Sequence, residues 1–116
     1  MNCTTVIICT ADRPDDLRAT LRSIVAAHKG HRDLGEILVV DNSATGTAAT
    51  VTAAAECPAF RVRYLHEPRR GKGYAYNAGM EAAVGDVLVF TDDDVRVPRY
   101  WALRMAEPIR TGRADA

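Results

Sequence analysis

Three consecutive aspartates, Asp92, Asp93 and Asp94, follow the apolar run "VLVF" (87–90), which reads as a buried strand. Neighbouring carboxylates repel one another, so a positive group belongs among them unless water alone screens them. If the strand continued through Asp94, its side chains would alternate in direction. Asp92 and Asp94 would then share one face, and Asp93 would be solvated on the other. Two carboxylates at the rim of a sheet suit a hard divalent cation, Mg²⁺ or Mn²⁺. Such ions take one or two protein carboxylates and complete their shell with substrate phosphates. A solvated acidic turn fits the same three residues.

The second chemically suggestive stretch is "RRGKGYAYNAG" (69–79). Arg69, Arg70 and Lys72 supply positive charge, and Gly71, Gly73 and Gly79 permit close approach of backbone. A helix starting here would offer unpaired N–H groups to an anion. The stretch is no P-loop, because no Lys-Ser/Thr pair is present. Nor is it a dinucleotide fingerprint, which opens a helix directly after the first strand. Taken together, one segment attracts a diphosphate and the other a metal that a diphosphate would bridge.

The elements that must position these groups follow from periodicity. β-Branched apolar runs predict strands at Thr5 to Cys9 and 36–40, and the alternating "RVRYL" predicts a third at 61–65. Residues 86–91 form the fourth and most apolar strand. Pro14, followed by Asp15 and Asp16, marks a helix start. Leu17, Leu21, Ile24 and Val25 give that helix one apolar face to about His28. A weaker helix is predicted from Thr47 to Glu56, stopped by Pro58, and another from Tyr74 to Ala83, ended by Gly85. A last helix after Pro98 would carry Trp101, Met105 and Ile109. Strands alternating with helices predict an α/β fold: a mostly parallel four-stranded sheet with helices on both faces. Ligands of such sheets bind outside the carboxyl ends of the strands. Thr10 to Arg13, Asp41–Asn42 and Asp92–Asp94 should therefore meet on one rim.

The totals narrow the field. A chain of 116 residues, 47% hydrophobic, is read as one domain, 1–116. Fifteen basic and fifteen acidic residues cancel, which gives no global argument for nucleic acid or an anionic membrane. Cys3, Cys9 and Cys57 lack metal or disulfide spacing and are read as thiols of a reducing, cytoplasmic setting. His28, His31 and His66 share no ligand spacing and are expected at the surface or in loops. Tyr74 and Tyr76 are expected to divide between core and rim. No apolar run reaches membrane-span length, and the N-terminus lacks the features of a signal peptide.

In order, "VIICTADRPDDLRATLRSI", "ILVVDNSA" and "GKGYAYNAGMEAAVGDVLVFTDDDV" resemble the nucleotide-sugar-binding half of family 2 glycosyltransferases, which have the GT-A fold. The most specific part is Asn77 to Val95. The resemblance implies a Rossmann-like nucleotide-binding half in which Thr10, Ala11, Asp12 and Arg13 line the nucleotide pocket. It implies that Asp41, beside Asn42, binds the base, usually uracil. Gly71, Lys72 and Asn77 would pass close to the sugar diphosphate. Asp92 and Asp93 would lie by the nucleotide, and Asp92 and Asp94 would hold Mn²⁺ or Mg²⁺. The implied activity is transfer of a sugar from a nucleoside-diphosphate sugar, a UDP-sugar first, to an acceptor hydroxyl. Tyr76 departs from a frequently basic position. No residue matches the catalytic base of the acceptor half, so weak or no transfer is expected from these residues alone. Membrane association is expected only through a segment beyond them. Two other readings share the residues. A nucleotidyltransferase would want a Gly-rich loop after the first strand, and "CTADRP" has no glycine. A receiver-like Mg²⁺-binding module would leave the helix–strand unit at 74–91 without a role.

Overall fold

The computed structural model describes residues 3–28, 34–55 and 61–94. Pro58, His31, Cys57 and the helix expected after Pro98 lie outside the described residues. The described elements alternate as expected: β1 (Thr4–Thr10), α1 (Pro14–His28), β2 (Leu34–Asp41), α2 (Ala49–Ala54), β3 (Arg61–His66), α3 (Lys72–Ala82) and β4 (Val87–Thr91). The four strands form a sheet in the order β3-β2-β1-β4, and every pairing is parallel. This is an α/β sheet with its central strands apolar on both faces, as parallel sheets require.

Alternation along the central strands divides the core in two. Val6, Ile8, Ile37 and Val39 face α1 and α2, meeting Leu17, Leu21, Ile24 and Val51. Ile7, Leu38 and Val40 face the other way, toward Ala75 of α3. Fully burying each large aliphatic side chain stabilises the fold by roughly 1.5–3 kcal/mol before conformational entropy is subtracted. α3 lies close to the sheet because Gly79 has no side chain. A Cβ there would sit 2.9 Å from Ile7 Cγ2 and 3.3 Å from Val40 Cγ2.

The structure corrects several local expectations. α3 begins at Lys72, two residues before Tyr74, because Gly71 (φ 131°) takes a conformation that breaks the preceding chain and lets the helix start at once. α2 is shorter than expected, since threonine is a poor helix former and its hydroxyl bonds backbone: Thr52 Oγ1 donates to the Ala48 carbonyl at 2.8 Å. His28 is fully buried, with Nδ1 2.9 Å from the Ile24 carbonyl. That helix-end bond suits the imidazole to an interior site. Tyr74 and Tyr76 are both exposed, so neither belongs to the core.

At the opposite end of the sheet from the acidic turn, Glu36 is a buried carboxylate with several partners. Arg63 Nε donates to it at 2.6 Å, Thr5 Oγ1 at 2.9 Å and the Val84 amide at 2.9 Å. Burial alone would raise its pKa, but these bonds outweigh it and hold the carboxyl below its ordinary value.

Candidate functional site

Register places the carboxyl ends of the strands on one rim. Thr10 pairs with Asp41, Asp41 with His66, and Ile8 with Thr91. The segments that follow converge there, as the rule for parallel sheets requires. A cleft of about 330 Å³ opens at this rim, lined by Cys9, Thr10, Ala11, Arg13, Asn42, Lys72, Ala75 and Asp92 to Asp94.

β4 ends at Thr91, and the aspartates form a turn instead of more strand. The alternation argument therefore fails, and Asp93 is not solvated: it is only 6% exposed. Thr10 Oγ1 donates to Asp93 Oδ2 at 2.8 Å, and Thr20 Oγ1 of α1 donates to the Asp93 carbonyl at 2.9 Å. These bonds fold the turn onto β1 and α1. Arg13 supplies the cation that three adjacent carboxylates demand. Its Nη1 lies 3.4 Å from Asp93 Oδ1 and 3.6 Å from Asp94 Oδ2. Asp92 and Asp94 remain exposed at the cleft.

Asn42 joins two segments of the rim. Its amide donates to the carbonyls of Glu67 at 2.7 Å and Arg69 at 2.8 Å, and its oxygen accepts from the Gly71 amide at 3.3 Å. The loop is also braced by Arg69, which donates through Nε and Nη2 to Glu67 at 3.1 and 2.7 Å and stacks over Tyr74 at 4.5 Å. The Arg69 hydrogen bonds lower the Glu67 carboxyl to about 2. Lys72 then enters the cleft from the first turn of α3.

Four of the residues singled out from the sequence do not line the cleft: Asp12, Asp41, Gly71 and Asn77. The place of Asp41, at the end of β2 behind the rim, has a clear physical cause. Its side chain is fully buried, and it accepts from the Ser43 amide at 3.0 Å, the Ala48 amide at 2.8 Å and Tyr64 Oη at 2.8 Å. Burial opposes its charge, yet these bonds prevail and lower its pKa, while burial and the bond to Asp41 push Tyr64 up to about 12. Asp41 thus shapes the 43–48 loop beside the rim. Asp12 has φ 57° and accepts a long 3.4 Å bond from Thr47 Oγ1. Gly71 caps α3, and Asn77 is exposed on that helix.

Sequence reasoning missed Cys9 and Ala75 as cleft walls. The signal was available for Cys9, since alternation puts it on the α3 face at the end of β1. Burial, then the negative charge of Asp92, pushes its thiol up to about 11, with Lys72 pulling the other way. Opposite charges from two distant segments therefore act on one floor residue.

Residues 5–116 match the family described as glycosyl transferase family 2. The chain belongs to that family. Among curated family relatives, the succinoglycan biosynthesis protein ExoM of Rhizobium meliloti is 35% identical over 111 residues, covering 94% of this chain and 35% of that protein. The undecaprenyl-phosphate 4-deoxy-4-formamido-L-arabinose transferase of Sodalis glossinidius is 33% identical, over 88% of this chain and 32% of its own length. The chain thus spans about a third of the length of these relatives. Among solved structures, S. aureus TarS superposes with a TM-score of 0.77 at 18% identity, over 94% of this chain and 32% of that one. The Pyrobaculum calidifontis mannosyltransferase PcManGT, solved with GDP-Man and Mn²⁺, gives 0.72 at 28% identity, over 82% of this chain and 28% of its own. The fold is the Rossmann-like GT-A arrangement of these glycosyltransferases. Family membership sets aside the nucleotidyltransferase and receiver-like readings.

Proposed function

We propose that this chain is the donor-binding part of a metal-dependent glycosyltransferase that takes a nucleoside-diphosphate sugar, a UDP-sugar first. The observation that carries the reading is the cleft itself. Arg13 and Lys72 line it together with Asp92 and Asp94, so one rim offers cations for a diphosphate and carboxylates for a cation. Two structural neighbours support it: PcManGT was solved with GDP-Man and Mn²⁺, and a Mycobacterium tuberculosis glucosyl-3-phosphoglycerate synthase with Mn²⁺ and UDP.

The donor set fits a divalent ion whose shell is completed by phosphate oxygens. Among the described residues no group of three or more His, Cys, Asp or Glu side chains makes an all-protein cage. Asp93 is buried and bonded to Thr10 and Arg13, which leaves the exposed Asp92 and Asp94, the latter in a longer contact with Arg13, as the two carboxylates open to an ion. Mg²⁺ and Mn²⁺ are commonly held in this way, by few carboxylates plus phosphates. When bound, the ion would supply Lewis-acid stabilisation of charge on the leaving diphosphate.

The chain's own residues do the rest. Thr10, Ala11 and Arg13 wall the nucleotide side of the cleft, and Lys72 meets the diphosphate from the start of α3. Asn42 keeps the 67–71 loop in place, and Asp41 acts from behind by fixing the 43–48 loop. Asp12, Gly71 and Asn77 border this surface without entering it. A base that takes the acceptor's proton would come from the part of the relatives' length that this chain does not span.

Calorimetry with UDP and GDP, each with and without Mn²⁺, tests the reading. UDP should bind only weakly without Mn²⁺ and at least tenfold more tightly with it. Equal affinity with and without the ion for both nucleotides would refute it.

A further inference from the structure

We infer that Arg13 is an exchangeable counter-ion: it neutralises the acidic turn until substrate arrives and transfers to the diphosphate when a divalent cation takes Asp94. The inference rests on the reading of the cleft above and deepens it. Its starting point is the inequality of the two ion pairs. Asp93 is buried and also bound to Thr10, so its 3.4 Å contact anchors Arg13 at the turn. Asp94 is 54% exposed and its contact with Arg13 is longer, 3.6 Å. An exposed pair at that length is weak and easily given up.

Charge then dictates the exchange. Asp94 cannot serve Arg13 and a divalent cation at full strength together, because the two cations would repel at short range. A diphosphate relieves that repulsion by bringing its own negative charge. Among the described residues Arg13 meets the aspartates through Nη1, which leaves Nε and Nη2 with N–H donors for phosphate oxygens. The Arg13 side chain is itself 54% exposed at the cleft, so the move needs no unfolding of α1. Arg13 is in this view a positioning and specificity residue: it keeps the acids from holding metal tightly unless the anionic substrate is present.

The competing explanation is a plain tether between the start of α1 and the turn. The two differ in sign. Mn²⁺ titrations followed by electron paramagnetic resonance, on the full-length protein and its Arg13→Gln and Arg13→Lys variants, separate them. Each is then titrated with UDP in saturating Mn²⁺. Exchange requires Arg13→Gln to bind Mn²⁺ alone about threefold more tightly and UDP with Mn²⁺ about tenfold more weakly. Arg13→Lys, which keeps the charge and loses the fork, should leave Mn²⁺ affinity unchanged and recover part of the UDP affinity. Weakening of both ligands by Arg13→Gln, or no change in Mn²⁺ affinity, overturns the inference while leaving the donor-site reading intact. A wild-type protein that takes up neither ligand removes the donor-site reading, and the inference with it. Circular dichroism of each variant verifies that the comparison is between folded proteins.

Discussion

Asp93 receives bonds from β1 and α1, and it is the only one of the three aspartates that is buried. Its neighbours stay exposed at the cleft while its own carboxylate is tied to Thr10 and Arg13. Replacing it by alanine strands the buried Thr10 hydroxyl and removes the inner anchor of Arg13, which should cost about 2 kcal/mol. An asparagine in its place could still accept from Thr10, so Asp93→Asn should cost about half as much. Urea unfolding of both variants measures the difference, and equal midpoints for the two would show that the Thr10 bond is not what holds the turn. The sequence signals three acids at a strand end but not which one turns inward. That choice depends on Thr10 and Thr20, residues 83 and 73 positions away.

At the scale of elements, the strands and α1 are legible because β1 and β2 are short, continuous apolar runs, as strands buried on both faces must be, and Leu17, Leu21, Ile24 and Val25 give α1 an i, i+4, i+7, i+8 face. Boundaries set by single side chains are not. Gly71 starts α3 early through a backbone angle, and Asn42 holds the preceding loop through bonds that no pattern announces. Asn42 matters here as an amide: a carboxylate cannot donate to the Glu67 and Arg69 carbonyls. Asn42→Asp should therefore free the 67–71 loop at a cost of about 2 kcal/mol. Trypsin reads this directly, since Arg69 and Arg70 lie in the loop. Cleavage there should rise roughly tenfold, in line with local opening controlling access. An unchanged rate would show that the Glu67–Arg69 brace suffices alone.

On the scale of the whole molecule, Glu36 near the start of β2 and Asp41 at its end are fully buried carboxylates held by hydrogen bonds. Both have pKa values below the ordinary 4.5 and 3.8, so the unfolded chain binds more protons in acid. Stability should be full above about pH 4.5 and fall as the pH drops through the lowered values. Urea midpoints measured from pH 6 down to pH 3 test this, and Glu36→Gln should flatten the fall; parallel curves for wild type and variant would deny Glu36 its share. The convergence of the rim segments is legible from element order alone, whereas the inward turn of Asp93 depends on Thr10 and Thr20, far away in sequence, and the buried place of Asp41 on backbone amides of its own loop and on Tyr64. In the proposed reading, Asp92 and Asp94 hold a cation that bridges to a nucleotide's phosphates. Calorimetry of UDP in Mn²⁺ on the Asp92→Asn/Asp94→Asn double variant tests it most directly. The account predicts that the gain in affinity from Mn²⁺ disappears while the weak metal-free binding persists. A variant that keeps the full Mn²⁺-dependent affinity would contradict it.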